Sequence, residues 1–77
     1  MKLQIIYAGF ETLVCEGEIE ESLGGRTQSA SGYQIDLDDE DTAATDGHVE
    51  TCFWVPEQCV YKNHDGFDAV IDLNKLP

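Results

Sequence analysis

Apolar residues recur at every second position through much of this chain, which is the period of a β-strand. Leu3, Ile5 and Tyr7 follow this pattern and predict a strand near the N-terminus. Residues 11–20 predict a second strand, with Leu13, Cys15, Gly17 and Ile19 on its apolar face and Thr12, Val14, Glu16, Glu18 and Glu20 on the other. A helix is the alternative for this segment because Glu favours helices, but Gly17 and the period of two argue for a strand.

The middle of the chain alternates between strand and loop patterns. Residues 21–32 are rich in Gly, Ser and Thr, which predicts a loop. Tyr33, Ile35 and Leu37 then alternate with polar residues and predict a third strand. Residues 39–47 predict an acidic loop that ends in an Asp-Gly turn pair.

The densest apolar run is residues 48–62, which contain the single Trp of the chain and two of its three Cys. Val49, Thr51, Phe53 and Val55 form one face of a predicted strand, and Glu50, Cys52 and Trp54 form the other. Pro56 ends this strand because it has no N–H to donate to a neighbouring strand. Since the second face is also partly apolar, Trp54 is either covered by another layer or exposed for a partner.

Residues 63–66 predict a turn, and Phe67, Ala69, Ile71 and Leu73 predict a last strand, with a short helix as the alternative. Five or six short strands joined by turns predict an all-β fold, a small antiparallel barrel or sandwich. Residues 54–60, Trp-Val-Pro-Glu-Gln-Cys-Val, resemble the closing segment of Src-homology-3-type barrels. That resemblance implies a strand ending at Pro56, one 3₁₀ turn and a further short strand. It implies no binding of proline-rich peptides, because Cys59 stands where that family has its ligand-binding aromatic residue.

The charge balance restricts the function more than any motif does. The 77 residues carry sixteen Asp and Glu against four Lys and Arg, a net charge of −12. Such a chain forms one domain over residues 1–77 and repels nucleic acids and anionic membranes. It has no apolar run long enough for a membrane span and no recognisable signal peptide. Three Cys exclude a fully paired disulfide framework, so we expect a reducing, cytoplasmic environment.

Sites for catalysis, metals or cofactors are not expected. An EF-hand loop begun at Asp36 would need Gly at position 41 and Glu at position 47, but the chain has Asp and Gly there. The residues of the types that bind zinc lack characteristic spacing; they are Cys15, His48, Cys52, Cys59 and His64. No phosphate-binding Gly-rich loop and no nucleophile with a neighbouring base are recognisable. We therefore expect a non-enzymatic protein without a cofactor.

The carboxylates themselves are the candidate site. Alternate strand residues lie about 6.6–6.8 Å apart and neighbouring strands about 4.8 Å apart, so acidic rows on adjacent strands form a dense negative surface. The expected partner-binding residues are Glu16, Glu18, Glu20, Asp36, Asp38, Asp39, Glu40 and Asp41, with Trp54 as an apolar anchor. The partner would be a basic protein surface, such as that of a nucleic-acid-binding host complex, which this protein would inhibit.

In size and charge the chain is similar to phage-encoded inhibitors of host defence, including anti-CRISPR proteins and DNA mimics. Two alternatives stay open from the sequence. The chain could use its cysteines and histidines in a metal or redox site. Alternatively, it could be a structural β domain that assembles with itself or acts as an adaptor, its acidity serving solubility. The strand carboxylates would then simply mark the solvent face of a sheet.

Overall fold

A computed structural model describes residues 1–6, 13–38 and 52–76. These residues form six β-strands: β1 (Lys2–Ile6), β2 (Leu13–Gly24), β3 (Ala30–Leu37), β4 (Cys52–Pro56), β5 (Val60–His64) and β6 (Phe67–Asp72). Two 3₁₀ turns, η1 (Glu57–Cys59) and η2 (Leu73–Lys75), are the helical elements of the described residues. The predicted all-β class is confirmed. Neither turn is long enough to cross a membrane, and the described ranges hold no longer helix.

The long strand β2 joins two halves of one sheet with the order β4-β3-β2-β1-β6-β5. Its first part pairs antiparallel with β1, up to Glu16 opposite Lys2, and its second part pairs antiparallel with β3 from Gly17 onward. Strand β1 pairs in parallel with β6 on its other side. At the change of partner, a Cβ on Gly17 would lie 2.4 Å from the carbonyl oxygen of Asp36. Glycine at this position therefore lets β3 approach the backbone of β2 closely.

The predicted loop over residues 21–32 is largely wrong. Ser22, Leu23 and Gly24 continue β2 and pair with Gly32, Ser31 and Ala30 of β3. The turn itself is confined to residues 25–28, where Gly25 and Gln28 adopt positive φ angles of 83° and 59°. Backbone hydrogen bonds to a neighbouring strand do not require apolar side chains. Residues such as Gly, Ser and Ala therefore form a β-hairpin where their backbone N–H and C=O groups are paired.

The sheet is strongly curled because its two edge strands are consecutive in the chain. Strands β4 and β5 lie at opposite edges, yet only the three residues of η1 separate them. The inner face of the curl encloses the core, which consists of Leu3, Ile5, Cys15, Ile35, Leu37, Val55, Cys59, Ala69 and Ile71. Closure of the sheet into a barrel is not seen in the described residues and stays a prediction. The strand, Pro56, 3₁₀ turn and short strand occur in the order that the Src-homology-3 resemblance implies.

The C-terminal part of the fold is a tight hairpin followed by η2. Asp65 and Gly66 connect His64 to its partner Phe67 with φ angles of 51° and 82°. Two successive positive φ angles are those of a type I′ turn, whose twist matches that of the strands, and Asp-Gly is a favoured pair for it. The turn predicted within residues 63–66 is confirmed at Asp65 and Gly66, whereas Asn63 and His64 belong to β5. For the last segment, where the sequence left strand and helix open, the structure has a strand that ends at Asp72 and is followed by one 3₁₀ turn.

Candidate acidic interaction face

Five of the predicted partner-binding acids lie on one side of the sheet. The even-numbered residues of β2 and β3 point away from the core, while the odd-numbered residues up to Ile19 and from Tyr33 face it. We define the acidic face as Glu16, Glu18, Glu20, Asp36 and Asp38, all of which are exposed. The predicted residues Asp39, Glu40 and Asp41 lie outside the described residues.

The strand register brings these carboxylates together across the hairpin. Glu18 lies directly opposite Asp36, and Glu20 lies opposite Gln34. Next to them, the backbone N–H of Asp38 donates to the carbonyl oxygen of Glu16 at 3.2 Å. Directly opposite residues have Cβ atoms about 4.5–5.5 Å apart, and successive rows are separated by about 6.6–6.8 Å. The face is therefore a compact patch of two acidic columns.

The basic groups of the chain neutralise this patch only in part. The N-terminal ammonium lies 3.5 Å from a carboxylate oxygen of Glu16 and 3.9 Å from one of Glu18. These two side chains are nevertheless 60% and 76% exposed, and ion pairs in such positions contribute about 0–1 kcal/mol. The backbone of Lys2 lies opposite that of Glu16 in the strand register, at the margin of the patch. The ammonium group of Lys2 lies over the ring of Phe67. The remaining cations lie elsewhere: Arg26 in the β2–β3 turn, Lys62 beside Glu21, and Lys75 in η2.

Placing like charges opposite one another costs stability, which gives the first prediction. The double variant Glu18→Gln/Asp36→Asn is expected to be more stable than the natural chain at low salt, by about 0.2–1 kcal/mol. Thermal unfolding at low and high salt measures this, and the gain should shrink as salt screens the repulsion. Glu21→Gln is the control, because Glu21, like Glu18, lies 3.9 Å from an ammonium group but has Tyr33 rather than a carboxylate opposite it across the hairpin, so its loss should not stabilise the fold. A double variant less stable than the natural chain at low salt would contradict the prediction.

Trp54 lies on the same outward side and is half-buried by the sheet itself. It pairs with Gln34, which in turn pairs with Glu20, so it belongs to the row next to Glu18 and Asp36. Its indole ring lies over Gly24 and Gly32; a Cβ added at either residue would lie 2.3–2.6 Å from ring atoms. The indole N–H donates to the carbonyl oxygen of Ser22 at 3.0 Å. Trp54 is therefore neither fully covered nor fully exposed, because the sheet covers one part of the ring and leaves the rest accessible.

Sequence reasoning missed the contribution of Gly24 and Gly32 because it assigned both to a loop. Each lies on the outward side of its strand, at the end of the hairpin beyond the acidic face. Absence of side chains at these two positions leaves room for the large ring of Trp54. The signal that could have found them is glycine at even positions of β2 and β3, in phase with the outward-facing acids.

A groove of about 650 Å³ borders Trp54 at this end of the sheet. Its lining is apolar at Gly25, Ala30, Trp54, Pro56 and Leu76 and polar at Ser31, Glu57 and Gln58. Leu76 is 46% exposed there. Because the indole N–H is already bonded to Ser22, Trp54 presents ring carbon atoms to this groove. Along β2, β3 and β4, an apolar groove therefore adjoins the acidic face on the outward side of the sheet.

No disulfide joins the three cysteines, which lie in different environments. Cys15 and Cys59 lie in the core, as the period of two predicts for Cys15, whereas Cys52 is exposed and its sulfur accepts a hydrogen bond from the Gln34 amide at 2.7 Å. Burial raises the pKa of the Cys59 thiol above its ordinary 9.0, and the carboxylate of Asp72 raises it further. Among the described residues, no three His, Cys, Asp or Glu side chains converge as a metal site would require, and the candidate ligand His48 lies outside them.

Differential burial predicts selective thiol labelling. In the folded protein a maleimide or iodoacetamide reagent is expected to modify Cys52 rapidly, whereas Cys15 and Cys59 react only after unfolding, because the reactive form is an accessible thiolate. Mass spectrometry of the labelled chain with and without denaturant measures this. Rapid native labelling of Cys59 would contradict its placement in the core.

The raised pKa of Cys59 also means that stability falls above about pH 9, where the unfolded chain loses a proton that the folded one retains.

No protein family, no curated protein and no solved structure matches this chain. The candidate site therefore has to be interpreted from its own geometry and charge.

Proposed function

We propose that this protein is a non-enzymatic, acidic interaction protein that binds a basic protein surface and inhibits it. The observation that carries the proposal is the acidic face: five exposed carboxylates share one side of a two-strand ladder, and the basic side chains of the chain lie at its margin or elsewhere. A patch of this kind attracts a cationic surface over a distance of about one Debye length and accelerates association.

Nucleic-acid-binding proteins are the partners that best fit such a face. Their binding grooves carry Lys and Arg that are placed to meet a row of phosphates, and duplex DNA presents one charge per ~1.7 Å of its axis. Two acidic columns with rows about 6.6–6.8 Å apart present one charge per roughly 3.4 Å, which is half that density. The sheet holds the carboxylates in fixed positions, so binding would not carry the entropic cost of ordering them. By occupying the groove, the protein would exclude the nucleic acid, which is how a DNA mimic or anti-CRISPR-type phage inhibitor acts.

The register favours this function over acidity that serves only solubility. Solubility depends on net charge and does not require Glu18 and Asp36 to be directly opposite each other, a placement that costs stability. A function that needs concentrated charge on one surface does require it. We propose a cytoplasmic location, because three cysteines that form no disulfide suit a reducing compartment.

The test is competition. The tagged protein is immobilised, incubated with host lysate at low salt and eluted with a salt gradient, and the eluted protein is then assayed for nucleic-acid binding with and without the acidic protein. We expect a nucleic-acid-binding protein that elutes at moderate salt and whose binding to DNA or RNA is displaced in a dose-dependent manner. Elution that does not depend on salt, or a partner that binds nucleic acid and this chain together, would refute the proposal.

Sedimentation of the purified protein at two concentrations tests the alternative of self-assembly. A sedimentation coefficient that rises with concentration and persists at high salt would favour a structural domain. A concentration-independent monomer agrees with the proposed inhibitor.

A further inference from the structure

We infer that the groove beside Trp54 is the anchor site for the partner, and that its occupant is an apolar side chain on a basic segment of that partner. The inference rests on the proposed function and deepens it, because it identifies a second chemical component of the same interface. It begins from a difference within the outward side of the sheet, which is acidic toward Glu18 and apolar toward Trp54.

Charge alone rarely gives a tight complex. Exposed ion pairs steer association and set specificity, whereas most of the affinity in protein interfaces comes from a few buried anchors in apolar pockets. The groove has the volume for such an anchor, since its 650 Å³ falls within the roughly 300–1,000 Å³ of ordinary ligand sites. Its lining by Trp54, Pro56 and Leu76 favours an aliphatic or aromatic group over a polar one.

The rigidity of the groove wall supports the same assignment. Trp54 is held by contact with Gly24 and Gly32 and by its hydrogen bond to Ser22, so its ring is already placed before a partner arrives. An ordered aromatic wall lowers the entropic cost of binding. A mobile ring at the surface would have to be immobilised first.

Contiguity with the acidic face specifies the chemistry of the occupant. The row of Trp54 and Glu20 lies between the row of Glu18 and Asp36 and the row of Pro56, which lines the groove, so about 13 Å along the strands separates Glu18 and Asp36 from Pro56. That is the length of about four residues in an extended chain. One short segment could therefore place an apolar residue in the groove and lysine or arginine residues on the acids. Charge complementarity makes a basic segment the fitting partner for this combined surface.

The experiment uses two synthetic peptides of equal length and equal lysine content. One carries leucine and the other serine at the positions between the lysines. Trp54 is the single Trp of the chain, so its fluorescence reports on the groove. We expect the leucine peptide to bind about ten- to a hundredfold more tightly, which corresponds to burial of one leucine side chain, and to shift the emission of Trp54 to shorter wavelength. The serine peptide is expected to bind weakly, without that shift.

Two variants of equal charge separate the groove from the acidic face. Ala30→Glu places a carboxylate in the groove, whereas Ser29→Glu places one at the neighbouring residue outside its lining. We expect Ala30→Glu to remove the advantage of the leucine peptide and Ser29→Glu to preserve it, with both variants retaining the thermal stability of the natural chain. Equal affinity of the two peptides, or equal effects of the two variants, would overturn the inference.

Failure of the inference can be told apart from failure of the proposed function. Glu18→Gln/Asp36→Asn is expected to weaken both peptides and to reduce the dependence of their affinity on salt, whether or not the groove is used. If this variant weakens both peptides while leucine confers no advantage, only the anchor site is wrong. If it leaves the affinity of both peptides unchanged, the acidic face does not bind cations and the proposed function falls with it.

Discussion

Gly32→Ala is expected to remove a large part of the stability of the fold. A Cβ at this position would lie 2.3 Å from a ring atom of Trp54 and 2.3 Å from the carbonyl oxygen of Val55. The ring could move only by giving up its hydrogen bond to Ser22, and the carbonyl belongs to the neighbouring strand β4. We expect a loss of about 3 kcal/mol, the upper end of the range for overpacking. Domains of this length have a total stability on the order of 4–11 kcal/mol.

Chemical denaturation with circular dichroism detection measures this loss. Gly66→Ala is the matched control, because a Cβ at Gly66 meets nothing within 4 Å and the substitution is strained only by the φ angle of 82°. We expect it to cost about 1 kcal/mol. If Gly32→Ala were no more destabilising than Gly66→Ala, the placement of Trp54 over β3 would be wrong.

Gly24 offers a sharper test of the same contact. The nearest atoms to a Cβ there are all ring atoms of Trp54, the closest at 2.4 Å, with no backbone among them. Gly24→Ala should therefore be destabilising in the natural chain and nearly neutral when Trp54 is replaced by Leu. A double-mutant cycle with a coupling free energy of about 1 kcal/mol or more would demonstrate the contact, and simple additivity would contradict it.

Reversing two charges on the acidic face should abolish partner binding while leaving the fold intact. In Glu18→Lys/Asp36→Lys two like charges still lie opposite each other, so the electrostatic cost within the hairpin stays similar. Against a basic partner, however, two attractive contacts become repulsive, and juxtaposed like charges cost several kcal/mol. We expect the affinity for the partner recovered by salt elution to fall by more than about a hundredfold. Isothermal titration at low salt, with thermal unfolding in parallel, measures both quantities.

Glu18→Lys alone is the informative control for that experiment. It creates an opposite-charge pair with Asp36 and should stabilise the hairpin slightly, yet it should weaken binding. Stability and binding then change in opposite directions, which no general loss of folding could produce. Glu21→Gln/Asp65→Asn removes two carboxylates away from the acidic face and should leave affinity nearly unchanged. Undiminished binding by the double reversal would exclude this face as the contact surface.

Local alternation was enough to predict most of each strand and the side on which its residues lie, with the end of β2 as the exception. The period of two placed Leu3, Ile5, Cys15 and Ile35 in the core and Glu16, Glu18 and Asp36 outside it. Pro56 and the Asp65-Gly66 pair marked a strand end and a turn, because a missing N–H and positive φ angles are local properties of those residues. Part of the candidate site was thus visible in the sequence. Asp39, Glu40 and Asp41 were predicted to belong to the site as well. They lie outside the described residues, so their role stays a prediction.

Tertiary structure decided how the strands are joined and what lies beside the acids. The sequence by itself determined an acidic, all-β chain with outward carboxylates, because charge and alternation are properties of single residues and their near neighbours. The parallel pairing of β1 with β6, the extension of β2 to Gly24, and the position of Trp54 over Gly24 and Gly32 depend on residues far apart in the chain. Such pairings form where backbone hydrogen bonds and side-chain volumes are satisfied together, and no local pattern encodes that condition.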